Sequence, residues 1–150
     1  MRIVVGSDHA GYAMKREIVS YLISQGHKVH DVGPFSAEPC DYPDFAGTAA
    51  KMVARGEADC GILICGTGLG MGIAANKIKG IRAAVCHDAF TARMAREHND
   101  ANILCMGARV IGIGVALDIV RTFTEAEFSG AERHRRRIGK IAALEEEGCS

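Results

Sequence analysis

Apolar positions in this chain fall into short runs that alternate with longer stretches of helical spacing. Arg2–Ser7 carries Ile3, Val4 and Val5 in succession and reads as a buried strand. Gly11–Ser24 follows, with Met14, Ile18, Val19, Leu22 and Ile23 recurring at helical intervals and Gly26 closing the segment. Lys28–Val32 predicts a short second strand, and Gly33–Pro43 a polar loop with three prolines. Asp44–Arg55 resumes helical spacing, with Asp44 as its cap and Gly56 as its end. Further strands are predicted at Gly61–Cys65, Ile81–Cys86 and Ile103–Met106, and helices near Ala89–His98 and Gly112–Phe123. A charged helix spans roughly Glu132–Glu146.

This alternation predicts a parallel sheet covered by helices on both faces and reached by right-handed crossovers. Ligands of such sheets bind beyond the carboxyl ends of the strands. Asp8 and His9 follow the first strand, Cys65 and a glycine-rich stretch the third, His87 and Asp88 the fourth, and Gly107 to Arg109 the fifth. No repeat, low-complexity tract or linker divides the 150 residues, so a single domain is expected.

The stretch after the third strand, Cys65-Gly66-Thr67-Gly68-Leu69-Gly70-Met71-Gly72, carries the most chemistry. Gly66, Gly68, Gly70 and Gly72 permit backbone angles that would turn several N–H groups into one space. A helix start behind them adds positive potential, so Cys65 is expected beside an anion hole. Two familiar loop patterns fail on spacing. The dinucleotide fingerprint needs a third glycine where Met71 or Ile73 stands, although Asp88 lies where a ribose-binding acid would be sought. No Gly-Lys-Ser/Thr follows, and Met71 occupies the place of a cysteine phosphatase's arginine. A tight strand-to-helix turn with a buried cysteine is the plainer reading of the same residues.

Elsewhere the residues leave alternatives open. Asp8 suits either a helix cap or a ligand contact, and His9 shares its position at the sheet's ligand edge. His98-Asn99-Asp100 reads as a helix C-terminal turn or as a polar cluster with a function. Arg133 and Arg137 share one helix face with His134 beside them, which suits a phosphate, a solvated face or an RNA contact. Lys and Arg balance Asp and Glu at 18 each, so no global field favours nucleic acid or a membrane surface. No apolar run reaches membrane-spanning length, and the N-terminus enters a strand with no signal-peptide layout. Cys40, Cys60, Cys65, Cys86, Cys105 and Cys149 contain no C-x-x-C pair. Free thiols and a reducing, cytoplasmic setting are expected.

Taken together, Ser7-Asp8-His9-Ala10-Gly11, Asp41-Tyr42-Pro43, Ile64-Cys65-Gly66-Thr67-Gly68, Ile73-Ala74-Ala75-Asn76-Lys77, Glu97-His98-Asn99-Asp100 and Arg133-His134 resemble the type B ribose 5-phosphate isomerases, within the ribose/galactose isomerase family. The resemblance runs in order to about Ile141. It implies a three-layer, Rossmann-like α/β/α sandwich with a five-stranded parallel sheet. It implies a homodimer, or a tetramer made of two, with sites shared across the interface and neither metal nor organic cofactor. The implied reaction is reversible aldose–ketose isomerisation of a sugar phosphate, ribose 5-phosphate and ribulose 5-phosphate being the usual pair. Cys65 resembles the base that moves a proton between C2 and C1, with Thr67 assisting at the substrate oxygens. The N–H groups of Gly66, Gly68 and Gly70 would hold a cis-enediolate, and His98 would open the sugar ring. Asp8 would position sugar oxygens, and His9, Arg133 and Arg137 would clamp the phosphate. His134, Arg109 and Asn99 would line the site, with Tyr42 at its edge. One departure is Gly72, where the family often has serine, so a hydroxyl near the loop is expected to be missing. Other sugar phosphates (allose 6-phosphate, galactose 6-phosphate, a four-carbon ketose phosphate) and a non-catalytic nucleotide- or phosphate-binding module are the alternatives.

Overall fold

The computed structural model describes residues 1–148; Cys149 lies outside the described residues. Five strands form one parallel sheet in the order β2-β1-β3-β5-β4. They are β1 (Arg2–Ser7), β2 (Lys28–Asp31), β3 (Cys60–Cys65), β4 (Ala83–Val85) and β5 (Ile103–Gly107). Six helices join and follow them: α1 (Tyr12–Ser24), α2 (Tyr42–Ala54), α3 (Leu69–Ala75), α4 (Ala89–Glu97), α5 (Ile113–Glu125) and α6 (Glu132–Gly148).

The central strands alternate their side chains between two cores, which makes the three layers. Ile3, Val5, Ile62, Ile64, Leu104 and Met106 meet Ile18 and Leu22 of α1, Ala92 of α4 and Ile119 and Phe123 of α5. Val4, Leu63, Cys65, Ile103 and Cys105 meet Ala46, Ala50 and Val53 of α2 and Met71 and Ala75 of α3. Burial on both faces is why these strands read as unbroken apolar runs. α6 lies apart from both cores. It is tied down by Glu145, which accepts the Gly80 N–H, by the Lys79–Glu146 ion pair, and by His134 at its first turn.

Two boundaries depart from the pattern reading. α2 begins at Tyr42 with Asp41, not Asp44, at its cap position. Pro43 explains the shift, since proline is pre-set for the first helical turn and needs no N–H bond there. Asp44 then sits in that first turn, where a carboxylate answers the helix dipole. β4 is trimmed to Ala83–Val85 because side chains take over its flanking rungs: Asn102 Oδ1 accepts the Arg82 N–H at 2.8 Å, and His87 Nε2 accepts the Gly107 N–H at 3.1 Å.

The loop after β2 is anchored from inside. Lys15 is 1% exposed, and its ammonium donates to both Asp31 carboxylate oxygens at 2.7 and 2.9 Å and to the Pro34 carbonyl at 2.7 Å. Asp31 also accepts the Gly33 N–H at 2.8 Å. A buried ammonium is tolerable only when its protons are used in this way. Asp31→Ala strands the charge and should cost about 3 kcal/mol of unfolding free energy. Urea denaturation at one fixed protein concentration measures this.

Candidate active site

β1 and β3 are neighbours, yet the chain leaves β1 toward β2 on one side and builds β3, β5 and β4 on the other. The crevice beyond their carboxyl ends is therefore a topological switch point, where open α/β sheets bind ligands. Asp8 stands there beside the end of β3, its N–H donating to the Ile64 carbonyl at 3.2 Å. The Asp8 carboxylate accepts the Gly11 N–H at 3.1 Å and so closes the turn into α1. His9 is half-buried, and its Nδ1 accepts the Cys40 N–H at 3.2 Å. That bond leaves Nε2 as the donor nitrogen of the neutral ring.

Cys65 ends β3 at 4% exposure, and its Sγ accepts the Gly68 N–H at 3.1 Å. Of the four glycines read as loop, Gly68 alone takes the left-handed conformation, at φ +79°. A side chain there would also strike the Met106 carbonyl carbon at 2.9 Å. Gly70 and Gly72 are helical, within α3, and serve close packing. A Cβ on Gly70 would lie 2.5 Å from the Tyr42 ring, so the exposed Tyr42 covers the start of α3. A Cβ on Gly72 would meet Val85 at 2.9 Å, so that position belongs to the packing of α3 on β4. Arg109 lies over Gly66, with its guanidinium 3.3 Å from where a Cβ would stand, and its own N–H donates to the Gly66 carbonyl at 3.0 Å. Thr67 is exposed, and its hydroxyl accepts the Leu69 N–H at 3.3 Å.

Burial pushes the Cys60 thiol up to about 12 and raises Cys86 and Cys105 as well. Asp88 has a local structural task. Its carboxylate caps α4, accepting the Thr91 N–H at 2.6 Å and the Thr91 hydroxyl at 2.9 Å. Among the described residues no three His, Cys, Asp or Glu side chains gather as a metal would require. Nor is any described helix long and apolar enough to cross a membrane.

Five of the expected site residues lie elsewhere. His98 ends α4, and the turn His98–Asn102 precedes β5 at the amino edge of the sheet, where Asn102 accepts the Gly61 N–H at 2.9 Å. Gly61 pairs with Ile103 and Cys65 with Gly107, so β3 alone separates this turn from Cys65 by about 13 Å. Here the His98 ring stacks on His134, with centroids 4.3 Å apart and planes 15° from parallel. Arg133 and Arg137 project exposed from the same stretch of α6, and Asn99 is exposed beside His98. One chain thus carries two groups: Asp8, His9, Tyr42, Cys65, Thr67 and Arg109 at one edge, His98, Asn99, Arg133, His134 and Arg137 at the other.

Sequence reasoning passed over the residues that hold the second group. Arg82 donates to the Asn99 carbonyl at 2.9 Å and the Asp100 carbonyl at 2.8 Å, and Arg96 to the Ala101 carbonyl at 2.5 Å. Asp100 sits at φ +45°, which a non-glycine residue takes only when its surroundings insist. The four-residue spacing of Arg96 and Asp100 was the available signal, and the structure brings them to 3.6 Å.

Residues 3–141 match the family model described as Ribose/Galactose Isomerase. The chain belongs to the Ribose/Galactose Isomerase family. Within this family, Ribose-5-phosphate isomerase B of Escherichia coli (strain K12) is 47% identical over 145 residues, covering 97% of each chain. The solved Clostridium thermocellum Ribose-5-Phosphate Isomerase B superposes with a TM-score of 0.96 at 56% identity, covering 98% of this chain and 99% of that one. Mycoplasma genitalium Ribose-5-phosphate Isomerase B, solved with bound ribulose-5-phosphate, gives 0.92 at 42% identity over 97% of each chain. The sandwich and sheet expected from the sequence are those of this isomerase family.

Burial, followed by the charges of His98, Arg133 and Arg137, lowers the His134 pKa below its ordinary 6.5. The unfolded chain then binds this proton more readily than the folded one. The contribution to stability is complete above the ordinary histidine value and is lost as pH falls through the lowered one. His134→Asn should flatten that acid slope, read as urea midpoints from neutral pH downward.

Proposed function

We propose that this chain is a ribose 5-phosphate isomerase, interconverting that aldose with ribulose 5-phosphate by proton transfer through Cys65. The observation that carries the reading is the Cys65 thiol, held by the Gly68 N–H at 3.1 Å beside Asp8 at the switch point of the sheet. The relatives' names supply the substrate. The family's description also names galactose, so a galactose phosphate is the second substrate to test.

In the forward direction His98 moves a proton between the ring oxygen and the anomeric hydroxyl, opening the furanose. Cys65 as its thiolate then takes the proton from C2, becoming the thiol, while the carbonyl oxygen on C1 gains charge. Backbone donors of the Gly66–Gly70 stretch, beside the Gly68 N–H that Sγ accepts, would stabilise that oxygen as the cis-enediolate forms. Thr67 passes the hydroxyl proton from the C2 oxygen to the C1 oxygen while Asp8 positions the sugar oxygens, and Cys65 returns its proton to C1, leaving the ketone at C2. His9 Nε2, Arg133 and Arg137 hold the phosphate, the guanidinium groups through charge-assisted bonds.

The two groups lie at opposite edges of one sheet, so one chain cannot bring His98 to a sugar on Cys65. A second copy can. In a two-fold dimer the His98–Arg137 group of each chain completes the Cys65 group of the other, giving two equal sites. Exposed Leu69 and Ile73 on α3, beside the Cys65 group, and Ile141 and Leu144 on α6 supply apolar surface for such a contact.

Three outcomes are expected. Proton NMR of ribose 5-phosphate with the protein in D₂O should show ribulose 5-phosphate with deuterium entering carbon-bound positions; no turnover beside turnover of galactose 6-phosphate would reassign the substrate. Cys65→Ala should lower kcat by about 10²- to 10⁴-fold with the fold intact, while Arg137→Ala should chiefly raise KM, by about tenfold. Cys65→Ala and His98→Ala proteins, each inactive, should regain about a quarter of wild-type activity after unfolding and refolding together, since mixed dimers hold one intact site. A mixture as inactive as its components would put both residues in one chain's site.

A further inference from the structure

His87 follows β4 at the ligand edge, and the mechanism above gives it no part. Its surroundings assign it one. The ladder between β4 and β5 runs Ala83 to Ile103, Ala84 to Leu104 and Val85 to Cys105, and the Cys86 N–H donates to the Cys105 carbonyl at 3.0 Å. The next rung of a parallel ladder would carry the Gly107 N–H to the main chain of Cys86. The His87 ring takes that place, with Nε2 accepting the Gly107 N–H at 3.1 Å. An accepting Nε2 puts the proton of the neutral ring on Nδ1. The main chain beyond Val85 is thereby released to turn into α4, and the cap that Asp88 makes to Thr91 N–H at 2.6 Å fixes the residue after His87.

The peptide held in this way is the floor of the Cys65 loop. A Cβ on Gly107 would lie 2.7 Å from both Cα and the carbonyl carbon of Thr67, and one on Gly68 would lie 2.9 Å from the Met106 carbonyl carbon. Main chain therefore rests on main chain, with no side chain between to absorb a shift. Beyond Gly107 the chain is laced to the same loop, Ala108 N–H to the Cys65 carbonyl at 2.9 Å and Arg109 N–H to the Gly66 carbonyl at 3.0 Å. Tilting the Met106–Gly107 peptide would move Thr67 and Gly68 with it, and Gly68 carries the N–H that meets Cys65 Sγ.

We propose that His87 is a positioning residue of the isomerase site: by accepting the Gly107 N–H it fixes the Met106–Gly107 peptide under Thr67 and Gly68, and so keeps the Gly68 N–H on Cys65 Sγ. The kinetic side of this rests on the isomerase reading, and the structural side on geometry alone. The test compares His87→Leu, which removes the acceptor, with His87→Gln, whose amide oxygen reaches the place of Nε2. His87→Leu should lower kcat by about 10- to 100-fold with KM changed less than about twofold, since a misplaced catalytic group costs rate more than binding. His87→Gln should restore most of the loss. In ¹⁵N-labelled protein the amide signals of both Gly107 and Gly68 should move in His87→Leu and return in His87→Gln.

A kcat unchanged in folded His87→Leu, or a Gly68 signal that stays in place when Gly107 moves, overturns the proposal. If His87→Leu does not fold, His87→Asn replaces it, its shorter side chain leaving the oxygen out of reach of Gly107. A wild-type protein that turns over no sugar phosphate removes the isomerase reading, and the two amide signals then decide the positioning role by themselves.

Discussion

The close approach of two backbones at the carboxyl ends of β3 and β5 governs the rest of the site. Gly68 and Gly107 lie where any Cβ would collide with the opposite main chain, at 2.9 and 2.7 Å. Side chains normally hold neighbouring loops apart and let each adjust separately. Here the Cys65–Gly68 turn is seated on the Met106–Gly107 peptide, and Ala108 and Arg109 donate back to Cys65 and Gly66. The turn has few conformations left. The one it takes, with Gly68 at φ +79°, aims an N–H at the sulfur that ends β3. Order of this kind would serve the proton transfer proposed for Cys65, because the geometry is set before a substrate arrives.

Around that contact the fold separates tasks by sheet edge. The carboxyl edge holds the thiol, Asp8 and the glycine-bordered crevice. The amino edge holds the stacked His98 and His134 and the arginines of α6. The Cys65 thiol and the paired arginines Arg133 and Arg137 are thus held apart within one chain. Strand direction imposes the division, since a helix returning from one edge necessarily delivers its last residues to the other. Dimerisation is the economical way to bring such edges together, and it would also cover the apolar residues that α3 and α6 leave exposed.

Buried and half-buried cations elsewhere follow the same economy. Lys15 spends its protons on Asp31 and Pro34, which fixes the chain entering the loop before Cys40 and Tyr42. Arg82 and Arg96 spend theirs on the carbonyls of the turn at Asn99 to Ala101. Lys15 in the first place, and Arg82 with Arg96 in the second, satisfy carbonyls that no strand or helix claims, and each segment borders a site group.

The sequence by itself determined the layers and the carboxyl-edge residues. Strands buried on both faces must read as apolar runs, and the helices between them carry their periodicity openly in Met14, Ile18 and Leu22. Asp8, His9 and Cys65 were legible because they directly follow such runs. Tertiary structure decided what depends on contacts between distant segments. Gly70 and Gly72 looked like loop, yet they lie within α3, and Tyr42 and Val85 from other elements occupy the space where side chains would stand. Asp88 looked available to a ligand until the Thr91 amide claimed it. His98 and Cys65 belong to the same set of motifs but stand at opposite ends of the sheet. Spacing along a chain records local geometry, whereas strand order and crossovers decide which ends meet.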